Sequence, residues 1–497
     1  MQQVFNPYLP LWEYVPDGEP HVFEGRVYIY GSHDRAHGVK YCEGDYVTWS
    51  APVDDLRDWR CEGVIYRRTQ DPSNADDRFQ LWAPDVTQGP DGRYYLYYCF
   101  SFYPEIGVAV ADSPVGPFSF YGHVKYPAHL YGGKELNEYL PFDPAVLTDD
   151  DGRVYLYYGF AGKPGMKLPD FKKMRELGIE KITPEVLEKI GVEMSPGGMA
   201  VELEPDMVTM KAEPHMCFPS AKNSAGTGFE GHGFYEASSI RKVGNRYYFV
   251  YSSELSHELS YAVSDRPLEG YTYGGPLVSN GDIGLNGRTE PVNTIGNNHG
   301  GMVQIGADWY IFYHRQTNGT EFSRQGCAEK LAMLPDGSIP QVEITSCGLN
   351  GGPLAGQGSY PASIACHLTS RKTLRHIDYR DPVMREQTRI TEADGEQYIT
   401  QIEDGTRVGY KYFDYTGVTA AALELRGTLH GTVTASLDEA QTQVVGKVSL
   451  ALTADWQTVE LPLTVANGVH ALYFTFTGAG AADFKRFTFR HAESCVK

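Results

Sequence analysis

Short runs of β-branched and aromatic residues, each entered from a turn residue, recur through the first two thirds of the chain. They read Gly25-Arg-Val-Tyr-Ile-Tyr30, Gly92-Arg-Tyr-Tyr-Leu-Tyr97, Gly152-Arg-Val-Tyr-Leu-Tyr157, Asn245-Arg-Tyr-Tyr-Phe-Val250 and Asp308-Trp-Tyr-Ile-Phe-Tyr313. A turn residue followed by such a run is the pattern of a strand entered from a tight hairpin. Tyr28, Tyr95, Tyr155, Tyr248 and Tyr310 are equivalent in the five runs. Ten to twelve residues before each stands an ionisable side chain: Asp17, Asp85, Asp143, Glu236 and His299. Repeats arranged around an axis bring these five side chains together.

The repeat tyrosines lie 67, 60, 93 and 62 residues apart. The long interval holds an insertion at about 163–195 with helical spacing and a helix-start signal at Thr183-Pro184; without it the period is uniform. Units of this length with about four strands each predict an all-β, five-bladed β-propeller over residues 1–345. Two successive sandwiches would also be all-β, but give no reason for ionisable groups to recur in phase. Residues 346–370, rich in Gly, Ser, Pro and Ala, are expected to be a linker or closing segment. Alternating runs resume over 371–497, among them Arg407-Val-Gly-Tyr-Lys-Tyr-Phe413 and His470-Ala-Leu-Tyr-Phe-Thr-Phe476. They predict a β-sandwich of jelly-roll type.

Composition adds exclusions. A chain of 497 residues exceeds one ordinary core, and 35 tyrosines with 54 glycines suit many short strands. A net charge of −20 argues against nucleic acid or an anionic membrane surface as partner and leaves a neutral partner such as a sugar open. The eight cysteines show neither CxxC pairs nor metal-ligand spacing and read mainly as free thiols. The start of the chain has no basic and apolar leader pattern, and no run of apolar residues is of spanning length, so a cytoplasmic location is the expectation. Nothing in the sequence specifies an oligomeric state.

Four carboxylates and a histidine in phase crowd like charge, a costly arrangement unless it is used. Glycoside hydrolysis uses it: one carboxyl stays protonated to serve the leaving oxygen, and one stays ionised to activate water. A third carboxylate nearby keeps the acid protonated by repulsion.

Asn6-Pro followed by Asp17, Trp82-Ala-Pro-Asp85, Phe142-Asp-Pro-Ala145, Tyr235-Glu-Ala-Ser238 and Asn298-His-Gly300, in that order, resemble glycoside hydrolase family 43 over about residues 6–331. The resemblance implies a five-bladed propeller and an inverting mechanism, with Asp17 as general base, Asp143 as pKa modulator and Glu236 as general acid. The family usually carries Asp-Pro at the base, which makes Glu19, before Pro20, a rival; alignment on His21-Val-Phe23 selects Asp17. Asp85 is similar to a structural or subsite residue of the family. Arg324 resembles the family arginine beside the base and the sugar, and Asp34 joins the expected substrate contacts. Trp82 and Trp12 are candidate stacking platforms for a sugar face. His299 resembles the axial histidine that meets a central Ca²⁺ or Na⁺ through water, a structural ion, with no cofactor required for the chemistry. Residues around Gly409-Tyr-Lys-Tyr-Phe413 and Asp455-Trp-Gln-Thr-Val-Glu460 resemble a family 6 carbohydrate-binding module.

The expected activity is exo-acting release of α-L-arabinofuranosyl residues from arabinoxylan- or arabinan-derived oligosaccharides. β-D-Xylosidase or dual activity is the alternative within the class. A non-catalytic carbohydrate-binding propeller is the alternative outside it.

Overall fold

The computed structural model describes residues 3–162, 166–372, 376–378, 381 and 383–492. Each repeated run is the second strand of its sheet. At Glu24–Gly25 both turn residues have positive φ (51° and 77°), the geometry whose twist suits a two-residue hairpin. The first sheet is Glu19–Phe23, Arg26–Tyr30, Tyr46–Pro52 and Arg60–Tyr66, paired antiparallel in chain order. Three further four-stranded sheets begin at Leu81–Gln88, Ala145–Thr148 and Phe234–Val243, and a three-stranded one at Met302–Ile305. These five first strands touch one another in a closed ring, first to second and so on to the fifth, which returns to the first. The architecture is therefore a five-bladed propeller whose axis is lined by the first strands.

Tyr94–Phe100 and Val154–Tyr158 are buried along their whole length, because each blade is covered on both faces by its neighbours. Tyrosine suits such strands when its hydroxyl finds an acceptor. Tyr97 donates to the Met207 carbonyl (2.5 Å), and Tyr98 donates to Asp71 Oδ2 (2.6 Å).

The chain's own start completes the fifth blade. Beside its outer strand Arg324–Leu331, the Tyr8 amide donates to the Gly326 carbonyl (3.2 Å). The fully buried Asn6 uses both ends of its amide: Nδ2 donates to the Ala328 carbonyl (3.0 Å) and Glu329 Oε1 (2.9 Å), and Oδ1 accepts from the Ala328 amide (2.9 Å). Asn6→Ala would strand these groups without water. A loss of about 1–3 kcal/mol in stability, measured as a lower denaturant midpoint, is expected.

The insertion contains helices Phe171–Glu176 and Pro184–Ile190. Thr183 caps the second as its sequence demands, accepting from the Val186 amide (3.3 Å). The first helix docks on the second blade: Lys172 bonds both Glu105 and Glu135, and the Arg175 guanidinium lies 5.1 Å from the Phe79 ring.

The C-terminal unit packs two six-stranded sheets face to face around a core that includes Tyr410, Phe413, Phe474, Phe484 and Phe487. Residues 346–370 are more than a linker. Leu354–Ala355 and His367–Thr369 pair with Arg407–Tyr415 in one sheet, while Gly358–Pro361 pairs with Ala482–His491 in the other. Strands of two to four residues carry little local signal, and only their long-range partners make them strands. The unit is also fastened to the propeller: Arg288 meets Glu439 (2.6 Å), and the Arg315 guanidinium donates to the Ala365 carbonyl (3.2 Å). Among the described residues no helix is long and apolar enough to cross a membrane.

Candidate active site

The in-phase residues sit where first strands begin or bulge. Asp17, Asp143 and His299 lie just before the first strands of blades one, three and five. Asp85 and Glu236 lie inside theirs, at register shifts. The backbone there is bent: Asp17, Asp143, Ala83 and Ala237 have φ of 55°, 46°, 33° and 67°. Such values are costly for residues with a Cβ, though Asp tolerates them better than most, and a bulge turns side chains out of the strand's alternation. Strained backbone thus occurs at positions that face the axis.

Asp17, Asp143, Glu236, His299, Arg324 and Trp82 all line one cavity of about 410 Å³, within the range of small-ligand sites. Its wall is aromatic. Trp82 meets the Phe102 and Phe142 rings edge-on at 4.9 and 5.6 Å, and Phe142 packs on Phe160 at 5.1 Å.

Electrostatics divides the three carboxyls. Burial alone would raise Asp17, yet the Arg324 guanidinium, donating to Oδ1 at 2.8 Å, holds it well below the usual carboxylate range. His314 is buried, which pushes its own pKa down and favours neutral imidazole. Its Nε2 faces the Asn297 carbonyl (2.9 Å), so that nitrogen carries the hydrogen and Nδ1 accepts the Asp17 amide (3.2 Å). Glu236, half-buried, is pushed up to about 8 by burial and then by the Asp17 charge. Asp143 is raised well above its ordinary value by burial and by Glu236, although the Ala237 amide donates to its Oδ2 (3.0 Å). Near neutral pH the site therefore holds an ionised Asp17 opposite a protonated Glu236.

Sequence reasoning missed His314 and Tyr41. Tyr41 lies 4.8 Å beneath the Arg324 guanidinium and lines the cavity. His314 directly follows the fifth repeated run, a signal that could have found it; Tyr41 sits in an irregular loop without one.

Other candidates lie apart from the cavity. Glu19, the rival base, points into the axis below it, bonded to Arg241 (2.9 Å) and Ser239 (3.1 Å). Asp85 is fully buried and joins three blades: it meets His21 Nε2 (2.6 Å) and accepts from the Val86 and Val146 amides (both 2.7 Å). Asp34, expected as a sugar contact, is buried behind Arg324; its two oxygens accept Nε (2.8 Å) and Nη2 (3.1 Å), which aims the guanidinium at Asp17. Trp12, expected as a stacking platform, is 60% exposed, rests against Trp49 and does not line the cavity.

His299 lines the cavity with Nδ1 3.5 Å from Asp143 Oδ2, and burial lowers its pKa to about 4, leaving it neutral. Among the described residues it belongs to no group of three converging metal donors. Its surroundings among the described residues thus offer an ion no protein cage. Two such donor groups occur elsewhere, Glu19–His21–Asp85 and Glu105–His123–Glu135. Each already holds a protein cation, Arg241 in the first and Lys172 in the second.

A pocket at a propeller axis, with one carboxyl kept ionised and another kept protonated, is the equipment of a glycosidase. Residues 21–339 match the model of glycosyl hydrolases family 43, and residues 379–491 match that of carbohydrate binding module family 6. A xylosidase/arabinosidase of Thermoclostridium stercorarium is 47% identical over 98% of this chain and 99% of its own. An arabinoxylan arabinofuranohydrolase of Bacillus subtilis is 25% identical over 94% of this chain and 88% of its own. Among solved structures, a β-xylosidase/α-arabinofuranosidase from a compost microbial metagenome, in complex with xylotriose in a calcium-free form, aligns with a TM-score of 0.50. It is 25% identical, over 69% of this chain and 98% of its own. The chain belongs to glycoside hydrolase family 43 and carries a family 6 carbohydrate-binding module.

Proposed function

We propose that the enzyme is an inverting exo-glycosidase that releases terminal α-L-arabinofuranosyl residues from arabinoxylan- or arabinan-derived oligosaccharides. The observation that carries this reading is the opposite ionisation of Asp17 and Glu236, which line one cavity. Glu236 protonates the glycosidic oxygen as the bond to the leaving sugar breaks. Asp17 takes a proton from water as that water attacks the anomeric carbon from the opposite face, so the product has inverted configuration. Burial and the Asp17 charge keep the proton on Glu236, Arg324 keeps it off Asp17, and Asp143, bonded to the Ala237 amide next to Glu236, takes the modulator's place and orients the acid. His299 is the residue that would face a hydrated Ca²⁺ or Na⁺; no step passes through the ion.

The Bacillus subtilis arabinoxylan arabinofuranohydrolase matches along both domains, which supports the arabinofuranoside over the β-D-xyloside. The xylosidase reading keeps its ground, because the name of the first relative includes both. Wild-type enzyme is expected to hydrolyse 4-nitrophenyl α-L-arabinofuranoside with a higher kcat/KM than the β-D-xyloside, and NMR of the first product is expected to show the β-anomer of arabinose. A higher kcat/KM on the xyloside would reassign the sugar. A first-formed α-anomer would overturn inversion.

A further inference from the structure

The cavity has a wall that does not belong to the propeller. His376 and Ile377, from the chain that leaves the sandwich after His367–Thr369, line it together with the catalytic carboxyls. This segment is tied down by backbone. His376 forms a parallel bridge with Ile295, the Ile377 amide donates to the Ile295 carbonyl (2.7 Å), and the Leu368 amide donates to the Val292 carbonyl (2.8 Å). Ile377 is buried and serves as the anchor, while the His376 side chain is exposed at the rim.

The side of the rim is informative. Glu236 pairs with Ser252 on the next strand of its blade, and the turn that follows, Glu254, Leu255 and Ser256, lines the cavity. His376 sits over that turn, its Nε2 3.4 Å from Ser256 Oγ. A general acid must touch the oxygen that joins the released sugar to its carrier, so the carrier lies on the acid's side of the pocket. His376 is thus placed beside the leaving group and away from the base. Its tautomer follows from its neighbours: Nδ1 faces the Ile377 carbonyl (2.9 Å) and so carries the hydrogen, which leaves Nε2 as an acceptor. The Ser256 contact is long for a hydrogen bond, and a sugar hydroxyl could replace it.

We propose that His376 is a specificity residue of the leaving-group subsite, where its Nε2 accepts a hydroxyl of the sugar that carried the released residue. The sandwich domain then supplies part of the active site as well as any sugar contact of its own. This rests on the assignment of Glu236 as the acid and is independent of which pentose is released.

The test uses full-length wild type, His376→Ala and His376→Gln, with two substrates. One is whichever 4-nitrophenyl pentoside wild type cleaves faster, whose leaving group lacks sugar hydroxyls. The other is xylotriose bearing one α-L-arabinofuranosyl branch, or plain xylotriose if wild type favours the xyloside. His376→Ala is expected to raise KM for the oligosaccharide about 3- to 10-fold, the range of one hydrogen bond. It should leave kcat near wild type and the nitrophenyl kcat/KM within about twofold, and His376→Gln, which retains an acceptor, should recover most of the loss. Equal losses on both substrates, an unchanged oligosaccharide KM, or Gln no better than Ala would overturn the proposal. Failure of the sugar assignment shows instead in the wild-type comparison and leaves these ratios readable.

Discussion

Asp17→Asn is expected to lower kcat by about 10³- to 10⁴-fold on every substrate, whatever its leaving group. The side chain keeps its shape and loses the ability to take a proton from the attacking water. That loss corresponds to about 4–5.5 kcal/mol of barrier. It should not be confused with unfolding, because the Arg324 guanidinium keeps its two bonds to Asp34 and its place over Tyr41. Thermal unfolding of the variant therefore reports whether the fold is intact while stopped assays report turnover. The magnitude also separates Asp17 from Glu19, the acid that opens the first strand two residues later. Glu19 is buried in the axis with Arg241 and does not line the cavity, so Glu19→Gln should act mainly on stability. Turnover above about a tenth of wild type in Asp17→Asn would remove the base assignment.

The blades were legible because each hairpin repeats the same local chemistry. A residue that accepts positive φ precedes a run that only a strand covered on both faces can bury, and five copies make the period measurable. The gathering of Asp17, Asp143 and Glu236 in one cavity was legible for a related reason: they occur at nearly the same distance from that run, so phase along the chain becomes position around the axis. The helical insertion announced itself through Thr183-Pro184, a purely local signal. What escaped depends on contacts between distant segments. Asn6 lies in a bend, as its turn-rich surroundings suggest, but nothing local shows that its side chain pairs with the outer strand of the fifth blade. Leu354–Ala355 and Gly358–Pro361 have no intrinsic strand pattern. Asp34 and Trp12 show the limit at the site itself. Both are residues of types that bind sugar, but one is turned inward to hold Arg324 and the other outward against Trp49. Residue type alone does not say which way a loop side chain faces.

Three carboxyls facing one cavity also explain why the site is built from bent backbone. Left to themselves, like charges in a buried pocket would expel one another or take up protons. Arg324, backed by Asp34, bonds and relieves Asp17; it also acts on Glu236, but burial and the Asp17 charge outweigh it there, and Glu236 takes up a proton instead. The unequal distribution of one guanidinium is therefore enough to make a base and an acid from similar side chains. That distribution depends on blade five meeting blade one, where the propeller closes.

Glu236→Gln tests the acid on three readouts that a merely structural role would not move together. Turnover of an oligosaccharide is expected to fall by about 10²- to 10⁴-fold, since an alkoxide cannot leave unprotonated. A 4-nitrophenyl glycoside should lose much less, because nitrophenolate is a weak base and leaves with little help. In wild type, kcat/KM is expected to fall as pH rises through about 8, where Glu236 gives up its proton, and this limb should vanish in the variant. Stability provides the third readout, with a definite sign. The folded pKa of about 8 lies above the ordinary value of 4.5. Between these two pH values the native state binds the proton that the unfolded chain has released, so stability falls as pH rises across that window. Gln does not titrate. The melting temperature of the variant relative to wild type should therefore climb between pH 4.5 and 8, then level off. Asp143, raised by the same crowding, gains from the removal of its neighbour and reinforces the trend. A variant that loses both substrates equally, keeps the alkaline limb and shows no pH-dependent gain in stability would place the acid elsewhere.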